Sequence, residues 1–69
     1  MSVAVGDEPG VDGLAGRLAL AGYERVERVE ERGQFAVRGG IVDVFRATGR
    51  EPVRIELFGD EVEAIRAFS

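Results

Sequence analysis

The stretch QFAVRGGIVDVF, Gln34 to Phe45, sets two apolar runs on either side of Arg38-Gly39-Gly40. Two such runs joined by paired glycines read as a two-residue β-hairpin, because the turns that match strand twist need a positive φ that glycine adopts without steric cost. The short loop fixes the register: Arg38 faces Ile41, Val37 faces Val42, Ala36 faces Asp43, and Phe35 faces Val44. Side chains alternate along a strand, so Phe35, Val37, Val42 and Val44 share one apolar face. Ala36, Arg38, Ile41, Asp43 and Phe45 share the other. The first face needs a cover, and the second raises the question of whether the hairpin exists to present Arg38.

The cover lies upstream. Val11, Leu14, Ala15 and Leu18 follow helical spacing and predict a helix over Val11 to Ala21, with Asp12 as N-cap and Gly22 as the stop. Gly13 and Gly16 each cost about 1 kcal/mol relative to alanine in such a helix, so packing on the sheet must hold it. Before it, residues 1–10 mix Gly, Pro and acids after Val3 to Val5 and read as a linker or lead-in strand. Residues 11–69 form the single domain.

Around the hairpin the pattern stays β-rich. In YERVERVE, Val26 and Val29 fall three apart, which predicts a bulge or a short strand. After the loop RATGREP, Val53 to Phe58 alternates, with Val53, Ile55 and Leu57 inward and Arg54, Glu56 and Phe58 outward. Gly59-Asp60 turns into a last strand in which Val62 and Ile65 are again three apart, so it too should be irregular. The fold class is α+β: one short N-terminal helix packed on a small antiparallel, hairpin-rich sheet of four or five strands.

Composition narrows the function. With 69 residues there is room for one modest core, and 45% hydrophobic with 32% charged residues is a folded composition. The chain has no cysteine and no histidine, which excludes disulfides, Cys/His zinc sites and histidine acid–base catalysis. No phosphate loop ending in Lys-Ser or Lys-Thr occurs, the only serines are Ser2 and Ser69, and adjacent acids such as Glu30-Glu31 point apart on a strand. The expectation is a non-enzymatic domain with no cofactor and no metal. A net charge of −4 opposes general attraction to a phosphate backbone, so direct nucleic-acid binding is not expected. No apolar run approaches the roughly 20 residues needed to span a bilayer; the reading is a soluble, cytoplasmic, monomeric domain.

That leaves the outer face, where Arg38, Ile41, Phe45, Arg54, Glu56 and Phe58 gather. Arginine and aromatic residues are enriched at interface hot spots. The competing reading is structural: the aromatics cover the back of the sheet and the arginines pair with Asp43 or Glu56 on neighbouring strands. Pattern alone favours the structural reading.

A resemblance changes that balance. GYERV, VEERGQFAVRGGIVDVF and EPVRIELFGDEVEAIRAF resemble the UvrB-interaction domain shared by the bacterial transcription-repair coupling factor (Mfd) and UvrB. The match runs from about Val5 to Ser69, in the family's order and spacing. Gly40, where UvrB usually has an acid, brings it nearer to the coupling factor, and Arg46 stands where the family usually has proline. The resemblance implies a docking module for UvrA, the damage-sensing subunit of nucleotide excision repair, with contact residues at Arg38, Arg54 and Phe58. Glu56, Ile41 and Phe45 are secondary. It also implies that the coupling factor's DNA-translocating motor, absent from this sequence, lies elsewhere, so the domain binds and does not translocate. The alternatives are the equivalent domain of UvrB, or a self-associating structural domain.

Overall fold

The computed structural model describes residues 2–68. One helix, α1 (Gly10–Leu20), precedes five strands: β1 (Glu24–Arg25), β2 (Gln34–Arg38), β3 (Ile41–Phe45), β4 (Val53–Phe58) and β5 (Glu61–Ala67). They lie in chain order across one sheet. The hairpin has the register its two-residue turn dictates, with Arg38 opposite Ile41, Val37 opposite Val42, Ala36 opposite Asp43 and Phe35 opposite Val44. Gly39 has φ +57. Gly40 does not need that freedom; it is small because a Cβ there would meet the Leu57 carbonyl oxygen at 2.9 Å. The same approach lets the Leu57 N–H donate to the Gly40 carbonyl at 2.8 Å, which ties the hairpin tip to β4.

The apolar face is where alternation puts it. Leu14 and Leu18 of α1 are fully buried against Phe35, Val42, Val44, Ile55 and Val62, with Val11, Ala15, Val37, Val53, Leu57 and Ile65 packed around them. Burying a large aliphatic or aromatic side chain contributes about 1.5–3 kcal/mol, so this cluster offsets the weak propensity of a helix containing Gly13 and Gly16. The helix stops in a Schellman motif: Gly22 at φ +91 lets its N–H reach the Ala19 carbonyl at 3.1 Å and the Tyr23 N–H reach Leu18 at 3.0 Å. The Tyr23 hydroxyl then accepts from the Ala47 N–H at 3.1 Å, fastening the β3–β4 loop to the helix end.

Two sequence expectations are corrected. The helix starts one residue early, at Gly10, and Pro9 rather than Asp12 occupies the N-cap position without a side-chain cap. The cause is tertiary: the Gly10 N–H donates to the Asp60 carbonyl at 3.0 Å, and Asp60 lies so close that a Gly10 Cβ would meet its Oδ1 at 2.9 Å. Asp12 instead sits in the first turn, where a negative charge still complements the helix dipole. Second, the sheet is mixed rather than wholly antiparallel. Only Glu24 and Arg25 of YERVERVE form a strand, and they run parallel to β2. Glu24 donates to Gly33 at 2.9 Å and Val26 to Phe35 at 2.8 Å, so the chain leaves the helix along the open edge of β2 and must loop back to start it.

The last strand is irregular as its spacing requires. Glu56 pairs with Ala64 while Leu57 pairs with Val62, leaving Glu63 as the extra residue of a bulge that turns both Val62 and Ile65 inward. Upstream of the helix, the Gly6 N–H donates to Val62 at 2.9 Å and the Val62 N–H to Asp7 at 2.8 Å. This turn covers part of the β5 edge, and Val3 packs on the core.

Two glycines of unlike surroundings test this account. Gly40→Ala forces a methyl onto the Leu57 carbonyl and is expected to cost about 1–3 kcal/mol. Gly16→Ala, in a helix position with nothing within 4 Å of the new methyl, is expected to gain roughly 0.4–1 kcal/mol. Urea denaturation of both variants checks the opposite signs.

Candidate functional site

The sheet face away from α1 carries the residues singled out from sequence, and strand register orders them in rows. Arg38, Ile41, Glu56 and Ala64 form one row, and Ala36, Asp43, Arg54 and Arg66 form the next. Phe58 lies beyond the first row at the end of β4, opposite Glu61. Phe45 lies at the other end, opposite Gln34. At 3.3–3.4 Å per residue the two phenylalanines are on the order of 20 Å apart along the strands. Arg38, Ile41, Glu56 and Phe58 are therefore brought together, with Arg54 in the adjoining row, and Phe45 is not. The Arg32 guanidinium stands 5.9 Å from the Phe45 ring centroid and partly covers it.

Asp43 organises the middle of this face. It is 6% exposed, the one buried charged residue among those described. A carboxylate so placed must be paired and hydrogen-bonded to avoid a large desolvation cost. Arg54, directly opposite on β4, donates to it in a fork, Nε to Oδ1 at 2.9 Å and Nη2 to Oδ2 at 3.2 Å. Arg38 approaches Oδ2 with Nη2 at 3.6 Å. The hydrogen bonds from Arg54 to Asp43, and then the Asp43 charge, raise the Arg54 pKa above its already high ordinary value, with a smaller contribution from Glu56. The far side of the same guanidinium stacks 4.6 Å from the Phe68 ring centroid, a cation–π contact. Its orientation is thus fixed from two sides.

The other polar residues respond to this arrangement. Arg66 stands opposite Arg54 in the register, and with Asp43 occupied it pairs diagonally with Glu56, Nε to Oε2 at 3.3 Å. Side-chain exposure then separates the candidates: Arg54 is 34% exposed, Arg38 is 62% exposed, and Phe58 is 78% exposed. Arg54 is a held group that shows one edge, Arg38 a loosely tethered arm, and Phe58 an apolar ring open to solvent.

Beside the paired arginines the face is concave. Glu27, Arg28 and Val29 from the β1–β2 loop, with Pro52 and Phe68, wall a trough of about 760 Å³ over Asp43, Arg38 and Arg54. Phe68 reaches this position because its N–H donates to the Pro52 carbonyl at 2.9 Å. Sequence reasoning missed Phe68, the loop wall and the depth of Asp43. The register could have supplied two of them: carrying the β5 bulge through sets Arg66 opposite Arg54 and Phe68 beside Pro52, and the hairpin and β3–β4 pairings set Asp43 between Ala36 and Arg54. No group of three or more acidic residues capable of holding a metal ion occurs among the described residues, and no helix there is long and apolar enough to cross a membrane.

Known proteins share this pattern over its whole length. The sequence profile described as the UvrB interaction domain matches residues 1–69. The chain belongs to the UvrB interaction domain family. It is 49% identical over 69 residues to the transcription-repair-coupling factor of Mycobacterium tuberculosis, covering 100% of this chain and 6% of that protein. Against the coupling factor of Bacillus subtilis it is 48% identical over 69 residues, with the same coverage. Against that of Myxococcus xanthus it is 50% identical over 66 residues, 96% of this chain and 6% of the other. The chain thus spans a small fraction of the curated relatives it matches.

The pairing separates two substitutions that look alike in sequence. Arg54→Ala leaves Asp43 buried with only the longer Arg38 contact, so it should lower the urea midpoint clearly. Arg38→Ala removes a mostly exposed arm and should leave the midpoint unchanged. Equal midpoints for the two variants would contradict the central role assigned to the Arg54–Asp43 fork.

Proposed function

We propose that this domain is a protein-docking module that binds UvrA and so links a transcription-repair coupling factor to nucleotide excision repair in the bacterial cytoplasm. Family membership supports the link to repair. The observation that carries the docking reading is the placement of Phe58, 78% exposed, beside the row that holds Arg38 and Glu56. An apolar ring near an exposed, loosely tethered guanidinium suits an interface, since the ring excludes water from the charge pairs formed around it. Arg38, Arg54 and Phe58 are the principal contacts in this reading, with Glu56 and Ile41 beside them and Phe45 at the margin.

The residues divide the work. Arg38 and the exposed edge of Arg54 each present planar donors that fit a carboxylate, and Arg54 is already oriented by Asp43 and Phe68. Fixing a side chain before binding reduces the entropy lost on association, about 0.5–1.5 kcal/mol for a group of this kind. The module itself catalyses nothing in this reading; it supplies a surface.

Calorimetric titration against purified bacterial UvrA tests the proposal. The parent domain should bind; Phe58→Ala should lose roughly 2 kcal/mol, about thirtyfold in Kd, and Arg38→Glu should lose at least as much. Both variants should keep the parent's circular dichroism spectrum and urea midpoint. Failure of the parent to bind, or unchanged affinity in both folded variants, would overturn the reading.

A further inference from the structure

We propose that the trough beside the paired arginines is a distinct subsite of the docking surface, which takes a carboxylate side chain from an acidic segment of the partner, with Arg28 as an additional recognition residue. This rests on the docking reading above and extends it from Arg38 and Arg54 to the loop wall and Phe68 beside them, which the principal contacts do not include.

Charge complementarity selects the occupant. The trough of about 760 Å³ is lined by three arginines, Arg28, Arg38 and Arg54, against two carboxylates, Glu27 and Asp43, on a chain whose net charge is −4. Asp43 is already used, because the Arg54 fork at 2.9 and 3.2 Å and the Arg38 contact at 3.6 Å both converge on it. Arg28 takes part in no ion pair among the described residues, whereas Arg38, Arg54 and Arg66 all do. The rest of the lining is Val29, Pro52 and Phe68, apolar groups that exclude water and strengthen a charge-assisted hydrogen bond formed between them. A carboxylate entering here meets Arg54, whose orientation is set from below by Asp43 and from the side by Phe68, with the looser Arg38 and Arg28 beside it.

The position of Arg28 gives the subsite a property that the strands alone lack. It sits on the loop between β1 and β2, so the wall it forms comes from outside the hairpin strands that carry Arg38 and Asp43. A reversal of charge at Arg28, an exposed loop residue outside every regular element, alters the trough without touching the core or the Arg54–Asp43 fork.

The test is a UvrA titration at two salt concentrations with four proteins: the parent, Arg38→Glu, Arg28→Glu and Arg17→Glu. Arg17 lies on the helix, on the opposite side of the sheet, and its reversal changes net charge by the same amount. The expected result is that Arg28→Glu loses about tenfold or more in affinity relative to Arg17→Glu, with the gap narrowing at high salt as screening weakens charge pairs. Binding lost in Arg38→Glu but equal in Arg28→Glu and Arg17→Glu would overturn the subsite and leave the docking reading intact. No binding by the parent would overturn both. A parallel titration with single-stranded DNA adds one more outcome: DNA binding by the parent that Arg28→Glu abolishes, with UvrA affinity unchanged, would assign the trough to phosphates instead.

Discussion

A buried carboxylate in the middle of the sheet constrains everything on the outer face. Asp43 stands between Val42 and Val44 in a strand whose other residues pack or pair, and it is nearly as buried as they are. Removing a charge from water is costly unless its partners are close and well aligned, and Arg54 is the group in register to provide that. Once Arg54 is drawn flat against β3, Phe68 can stack on it, Arg66 is displaced to Glu56, and Arg38 is left with a longer contact and considerable freedom. A single acid therefore determines which guanidinium is rigid and which is mobile.

The two faces of the sheet separate the apolar core from the arginine-bearing surface, although the separation is incomplete. Leu14, Leu18, Phe35, Val42, Val44, Ile55 and Val62 hold the fold on the helix side, and none of them reaches the outer face. Phe58 and Arg38 lie outside that core. Arg54 belongs partly to both, since it faces solvent along one edge and compensates Asp43 along the other. Removing it would therefore disturb the fold as well as the surface, whereas removing Arg38 or Phe58 would change the surface alone.

Much of this was legible in the order of residues, and the exceptions share a cause. The hairpin could be registered residue by residue because a two-residue turn permits one pairing, and the three-residue spacing of Val62 and Ile65 marked the bulge in β5. The split of the sheet into an apolar and an arginine-bearing face followed from alternation. The parallel pairing of Glu24 and Arg25 left no trace, since two residues are too few to show a period. Asp12 looked like a cap because the sequence cannot show that Asp60, fifty positions away, comes to rest at the start of the helix. The stack of Phe68 on Arg54 and the trough it helps to wall depend on the same kind of distant contact.

The edges of the sheet carry a consequence for how this surface could change over time. On one edge β1 covers the Gln34–Phe35 end of β2, and the other is occupied at Val62 by the backbone of Gly6 and Asp7. Partly covered edges hinder the addition of a foreign strand, and the flat face offers side chains rather than main-chain pairing. Main-chain pairing is tolerant of sequence, whereas a face of guanidinium and phenyl groups is not. Substitution at a few solvent-facing positions can then change what the face presents while the scaffold beneath it is inherited unchanged.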